Sequence, residues 1–453
     1  MNWKLAIAGT FAGALLAAGA QQVLAEDVVI KVWSRADRSG PLRAGNIVAA
    51  GDTLNKMLAA AGADKRVKIE LNETNAKGYD DDALDLMKAF AVDKGPDIFV
   101  LAHEWTGAFV EAGYALNLED QIAKNPEFYG DIIAPLWQAV SYKGARYGVP
   151  QDSEVRMFFL NNDKLRKMGM SDKEIAALPA KVDAGEFTMN DLCDLAGRAV
   201  QKGVVKYGIL TRPNAGPDFQ MLTDSFGLVP YDKQTAKLQA SKSALRGFYT
   251  WVKYCMDKRA IPANNTSMSW DAIEQASFGG EEALVFLHGV WRVTDQMKAF
   301  PSIKGKDDYF HKYTWINAPA GKKGGKPSNL SHPIAYAVSA KSKNKELAAY
   351  IVALASQPYR NLQHAVSTNH TPINYGEQCM PELVEKGWAL AAATPMLKYA
   401  SFMPNHPKIG QYNAIIFKGI QGVETGRLDA AKATDFVIDE LENELGKDVE
   451  IKN

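Results

Sequence analysis

Three short segments set aromatic rings directly beside charged or polar groups: Trp33-Ser34-Arg35, His103-Glu104-Trp105 and His288-Gly289-Val290-Trp291-Arg292. That pairing suits one kind of chemistry. A ring covers the apolar C–H face of a sugar, while carboxylates, amides and guanidiniums bond the rim of hydroxyls. Any one tryptophan is more simply a core residue; three such clusters together carry the reading. Arg35, Arg156, Arg212 and Arg292 are more guanidinium than a neutral sugar needs. Pairing with the chain's carboxylates is the plainer role for them. If two of them faced one cleft, a sulfonate, phosphate or carboxylate on the ligand would suit them instead.

Reactive chemistry finds little support. None of the seven histidines stands in an HExxH pattern, because Trp105-Thr106-Gly107 follows His103-Glu104. There is no GxSxG elbow, and no GxGxxG follows the first predicted strand. Gly321 to Pro327 superficially resembles a phosphate loop, but Ala320 stands where glycine is needed and Pro327 replaces the Ser or Thr. Asp80-Asp81-Asp82 lacks the DxDxDG spacing of a calcium loop and suits the positive end of a helix. Neither a metal nor a cofactor is expected. Paired carboxylates for glycoside hydrolysis need a separation that sequence does not give, so an exported glycan-processing enzyme stays as the reading from another class. Cys193, Cys255 and Cys379 form no CxxC pair, and their odd number leaves at least one without an intrachain partner. They read as small buried apolar residues.

The clusters stand where strands should end. Val28 to Trp33 is β-branched and aromatic, and predicts a strand. A helix is expected over 42–61 and a strand over 67–71. A second helix follows the aspartates, with Ala83, Leu86, Met87 and Phe90 on one face. Gly95-Pro96 ends it, and 97–101 forms the next strand. Strand, helix, strand, helix, strand implies a parallel sheet with right-handed crossovers. Residues 283–287 and 334–339 read as further buried strands. Asn344 opens a helix carrying Leu347, Ile351 and Leu354, and the last helix starts near Asp429. Ligands of such sheets lie beyond the carboxyl ends of the strands.

Length and charge bound the rest. At roughly 150 residues per domain, 453 residues make two or three domains. Lysine plus arginine and aspartate plus glutamate both number 52, so nothing pulls the chain globally towards nucleic acid. Lys4, the apolar run Leu5 to Ala20 and Val23-Leu24-Ala25 read as a signal peptide cleaved after Ala25. The run falls short of the ~20 residues that span a bilayer. A soluble protein of the bacterial periplasm is expected.

Longer segments carry a family likeness. Val28-Ile30-Val32-Trp33-Ser34, Gly95-Pro96-Asp97-Ile98-Phe99 with Ala102-His103-Glu104, Tyr142 to Pro150, Phe159 to Leu165 and Phe278 to Trp291 follow one another in order. Together the chain resembles the extracellular solute-binding proteins of ATP-binding-cassette (ABC) importers, in the carbohydrate-binding group that includes maltose-binding protein. The resemblance covers nearly all of the chain after Ala25. It implies an α/β, two-lobed periplasmic-binding-protein fold, each lobe a mostly parallel sheet flanked by helices, joined by hinge crossovers. One lobe would hold 26–152 with 320–395, the other 153–319 with 396–453. It also implies a carbohydrate, of di- or oligosaccharide size, held between closing lobes, ABC permease subunits in the inner membrane as partner, no catalysis, and a monomer. Glu104, Glu154 and Trp291 match the family's sugar-binding acids and stacking ring, and Gly289 lies where backbone approaches ligand. Position alone adds Trp33, Arg35, Asp37, Trp105, Gln151, Asp152, Arg212 and His288. Leu101 departs from the pattern, which has an aromatic there.

Overall fold

Chain stiffness and periodicity explain the first elements. The β-branched run extends as β1 (Glu26–Arg35), whose Ile30 and Val32 are buried while Lys31 between them is exposed. The computed structural model describes residues 26–36, 42–75, 78–232 and 235–453. The expected signal peptide and Asp37 lie outside the described residues. Next come α1 (Leu42–Ala60), β2 (Lys65–Thr74), α2 (Tyr79–Ala91) and β3 (Ile98–Ala102). Asp80, Asp81 and Asp82 occupy the first turn of α2, as their charge favours. β1 pairs in parallel with both β2 and β3. β4 (Gly148–Pro150) closes this first stretch and leads straight into β5 (Arg156–Asn161) of a second sheet.

The second sheet gathers β5, β6 (Tyr207–Leu210), β7 (Ala283–Gly289) and β8 (Tyr313–Ile316) in the order β8-β5-β7-β6. The chain then returns through β9 (Asn329–Ser331) to β10 (Ile334–Val338), which completes the first sheet as β2-β1-β3-β10-β4. The short strand β11 (Ala400–Phe402) runs parallel to β9 on the way back to the second half. The α/β class and the two lobes therefore hold, and the parallel order holds at β1, β2 and β3 and at β6 beside β7. β10 meets β3 and β4 antiparallel, and β5 meets β7 and β8 antiparallel. These strands enter directly from a crossing segment, not through a packed helix, so the crossover rule does not fix their direction.

Each sheet has its own core. Ile30, Val32, Ile98 and Val100 pack with Ile47 and Leu54 of α1 and with Ile351 and Val352 of the helix Lys345–Ala355. In the other half Phe158, Leu160, Val285 and Leu287 pack with helices Met189–Gln201, Lys242–Asp257 and Ala430–Leu445. Asp429 caps the last of these through its side chain, accepting from Lys432 N at 2.8 Å. Asn344 sits at the N-cap of Lys345–Ala355 without a side-chain cap bond. The cysteine expectation is corrected in part: Cys193 and Cys255 are buried as expected, but not as free side chains. Cys193 and Cys255 are joined as a disulfide, their Cα atoms 5.2 Å apart, and Cys379 is exposed. Sixty-two residues separate the pair in sequence, so only the packing of two helices brings them together.

Candidate functional site

Glu104 owes its place to an abrupt strand end. All of β3 is buried, and the chain turns at His103 into a short 3₁₀ segment. Glu104 is therefore delivered, buried, beyond the strand's carboxyl end, where His332 Nε2 lies 2.8 Å from its Oε1. Burial pushes the Glu104 carboxyl up, but His332 and then His103 outweigh it and hold the pKa at about 2. His332 comes from the segment between β9 and β10, and its Nδ1 faces Glu154 Oε2 at 3.8 Å. Glu154 stands on the crossing from β4 to β5 and pairs with Arg156 at 2.6 Å. Arg156 also pairs with Asp218. Burial raises the Glu154 pKa, and its guanidinium partner only partly offsets this.

Asp152, two residues before Glu154, is the other anchor of this floor. Its Oδ2 meets Arg43 Nη2 at 2.5 Å and His364 Nε2 at 2.9 Å, and its Oδ1 accepts from Ile334 N at 3.2 Å. Gln151 Oε1 accepts from Arg43 Nε at 3.0 Å. His370 Nε2 lies 4.0 Å from Asp152 and 3.8 Å from Glu154. The His370 ring stacks on Trp291, 5.5 Å away and tilted by 8°. The Arg156 guanidinium is 5.0 Å from the same indole, and His288 meets its edge at 5.0 Å. A Cβ on Gly289 would stand 1.7 Å from the Trp291 ring, so glycine is what lets the ring lie there. Glu104 Oε2, Gln151 Nε2 and Arg156 Nε are buried and make no hydrogen bond among the described residues. Buried donors and acceptors without partners are rare in folded chains, so these three make the floor a candidate for a polar ligand.

Aromatic residues rim this floor. Arg35 lies over Tyr79 at 4.4 Å, and Tyr79 approaches His332 at 6.4 Å. Trp105 Nε1 donates to Asp80 at 2.8 Å. Arg212 lies 5.8 Å from the Trp270 ring, which touches His288 at 5.6 Å. Arg212 bonds Asn214 O at 3.0 Å and has no carboxylate within 4.0 Å among the described residues. Trp33 stands apart, its Nε1 given to Asp82 at 3.1 Å and its ring against the cluster that holds Leu86 and Phe90.

The structure thus links Glu104, Gln151, Asp152, Glu154, His288, Gly289 and Trp291 into one network, with Arg35, Trp105 and Arg212 at its rim. The plainer role of arginine holds for Arg156 and Arg292; the latter pairs with Glu274 and Asp295, both at 2.7 Å. Sequence reasoning missed Arg43, Tyr79, Asp80, Asp218, Trp270, His332, His364 and His370. Ser331-His332-Pro333 directly precedes a predicted strand, a signal that a search beyond strand ends passes over. Among the described residues, His103, Glu104 and His332 could hold a metal ion, as could Asp152, His364 and His370. In the first group both His103 ring nitrogens already face carbonyl oxygens, Pro333 at 3.1 Å and Met403 at 3.2 Å.

A cavity of about 640 Å³ opens elsewhere, between β8 and the segments 172–183 and 392–398, lined by Arg166, His311, Trp315 and Lys398 among others. None of its lining residues belongs to the network above. No helix among the described residues is long and apolar enough to cross a membrane.

Comparison with known proteins agrees with this architecture. The family model described as bacterial extracellular solute-binding protein matches residues 44–358. The maltotriose-binding protein of Pyrococcus abyssi (strain GE5 / Orsay) is 22% identical over 382 residues, 81% of this chain and 73% of that protein. The GacH receptor of Streptomyces glaucescens GLA.O, solved unliganded and with acarbose, superposes with a TM-score of 0.74 at 16% identity, covering 94% of this chain and all of that one. Maltose-bound MalE3 of T. maritima gives 0.71 at 17% identity, over 92% of this chain and all of that one.

Proposed function

The chain belongs to the bacterial extracellular solute-binding proteins, an exported family, and from that premise we propose that it captures a carbohydrate between its two lobes. One observation carries the reading. Carboxylates from separate segments, Glu104 after β3 and Glu154 on the crossing, converge on His332, and Arg156, paired with Glu154, lies against the half-exposed ring of Trp291. Carboxylates accept from hydroxyls and a ring covers a sugar face, so one floor serves both surfaces of a pyranose. The relatives named above bind maltotriose, acarbose and maltose, which supports a di- or oligosaccharide here.

The protein performs no chemistry in this account. Its work is closure. The lobes, taken as 26–152 with 320–395 and 153–319 with 396–453, turn about the crossing segments, and ligand contacts on both sides favour the closed form. The closed form is delivered to permease subunits of an ABC importer in the inner membrane, with the protein acting as a monomer in the periplasm after cleavage behind Ala25. The test is a thermal-shift screen of residues 26–453, unfolded and refolded to strip ligand, against mono- and disaccharides, maltodextrins and polyols. A ligand at 100 times its Kd should stabilise the fold by about 2.7 kcal/mol. No shift with any carbohydrate would defeat the reading.

A further inference from the structure

The hydrogen bonds around His370 fix which of its nitrogens carries the proton. Thr368 Oγ1 gives its hydrogen to His364 O at 2.7 Å, so it can only accept from His370 Nδ1, 2.8 Å away. In the neutral ring the lone pair is therefore on His370 Nε2. That atom looks at two carboxylates, Asp152 Oδ2 at 4.0 Å and Glu154 Oε1 at 3.8 Å, with no hydrogen of its own to offer them. His364 Nε2 completes the group, 2.9 Å from the same Asp152 oxygen. Asp152 Oδ2 already accepts from Arg43 Nη2 and His364 Nε2, but the buried His370 Nε2 lone pair and Glu154 Oε1 face each other at 3.8 Å, an approach that a shared donor or a cation between them relieves.

We infer that Asp152, His364 and His370, with Glu154 as fourth ligand, form a binding site for a divalent transition metal of the zinc class. Two imidazoles and carboxylate oxygens are the donor set that such ions select. Ligand atoms around a tetrahedral zinc lie roughly 3.3 Å apart, given metal–ligand bonds of ~2.0 Å, so small side-chain shifts close the site. Binding costs the His364 Nε2 proton, which leaves to solvent as the metal takes its place. The outer contacts are in position. Thr368 orients His370, Arg43 holds Asp152, and Arg156 holds Glu154 by its other oxygen.

The position of this group gives the ion a role. Asp152 and Glu154 stand on the crossing from β4 to β5, while His364 and His370 stand on and just after the helix Pro358–Thr368. A metal there pins the crossing segment to that helix, whatever ligand the lobes capture.

The test uses the full chain without a histidine tag, stripped with a chelator and titrated with Zn²⁺ alone by calorimetry at neutral pH. One equivalent should bind and raise the Tm. H364A and H370A should each weaken binding roughly tenfold or more. H311A, on the separate cavity, should not. Co²⁺ in the same site should give the visible absorption of a tetrahedral centre, lost in H370A. H370N, which keeps a polar side chain, replaces H370A if that variant does not fold. Absence of saturable Zn²⁺ binding by the parent would overturn the assignment. So would binding that survives H370A or H370N but is lost in H103A, which would move the ion to the other histidine pair.

Discussion

Trp291 lies flat only because residue 289 has no side chain. In G289A the new Cβ would meet the indole at 1.7 Å, so the ring must turn away from His370. The account predicts that G289A and W291A both weaken carbohydrate affinity, by roughly tenfold or more, the factor that corresponds to 1.4 kcal/mol. Circular dichroism should show both folded. Full affinity in either variant would remove the ring from the site. A different residue governs alkaline stability. Glu377 is fully buried, takes Asn374 Nδ2 on Oε1 at 2.5 Å, and leaves Oε2 without a partner among the described residues. Burial raises its pKa to about 8. The native state thus holds this proton more tightly than the unfolded chain does. Stability falls as pH rises from the ordinary carboxylate range through about 8, by about 1.4 kcal/mol per pH unit. E377Q keeps the acceptor and should lack this slope, becoming more stable than the parent at pH 9 in urea titrations. Equal slopes would show that Glu377 is already ionised in the native protein.

At the level of elements, strands and helices were legible wherever the pattern was local. Val28 to Trp33, the aspartates before the second helix, Gly95-Pro96 and Asp429 each mark a boundary through their own backbone preferences, and the observed elements follow them. The clusters at 33–35, 103–105 and 288–292 were legible as strand ends for the same reason. His332, His364 and His370 were not, because their meaning lies in partners 228, 212 and 218 positions away in the chain. The disulfide between helices Met189–Gln201 and Lys242–Asp257 was hidden likewise. It closes a loop of 62 residues, which predicts a stabilisation of about 4 kcal/mol from the entropy removed from the unfolded chain. Denaturant titration with and without reductant measures it. An unchanged midpoint on reduction would mean that helix packing alone holds this half. Thr188 gives a smaller check. It bonds Asp191 in a reciprocal cap, and T188A should cost about 1 kcal/mol.

For the whole molecule, the two sheets carry cores of their own and the chain passes between them through extended segments near 151–155 and 329–333, an arrangement that suits the lobe closure proposed above. The strand-end rule points to Glu104, His288 and Trp291, while the floor that links them is built from the crossing segments, where Gln151, Asp152 and Glu154 stand. The decisive measurement is a calorimetric titration of the stripped protein, residues 26–453, with a graded series of neutral mono-, di- and oligosaccharides, each recovered and analysed afterwards. The account predicts one-to-one binding by one series, marked loss of affinity in W291A, and sugar recovered intact. Binding by no carbohydrate, or recovery of a cleaved one, would contradict it.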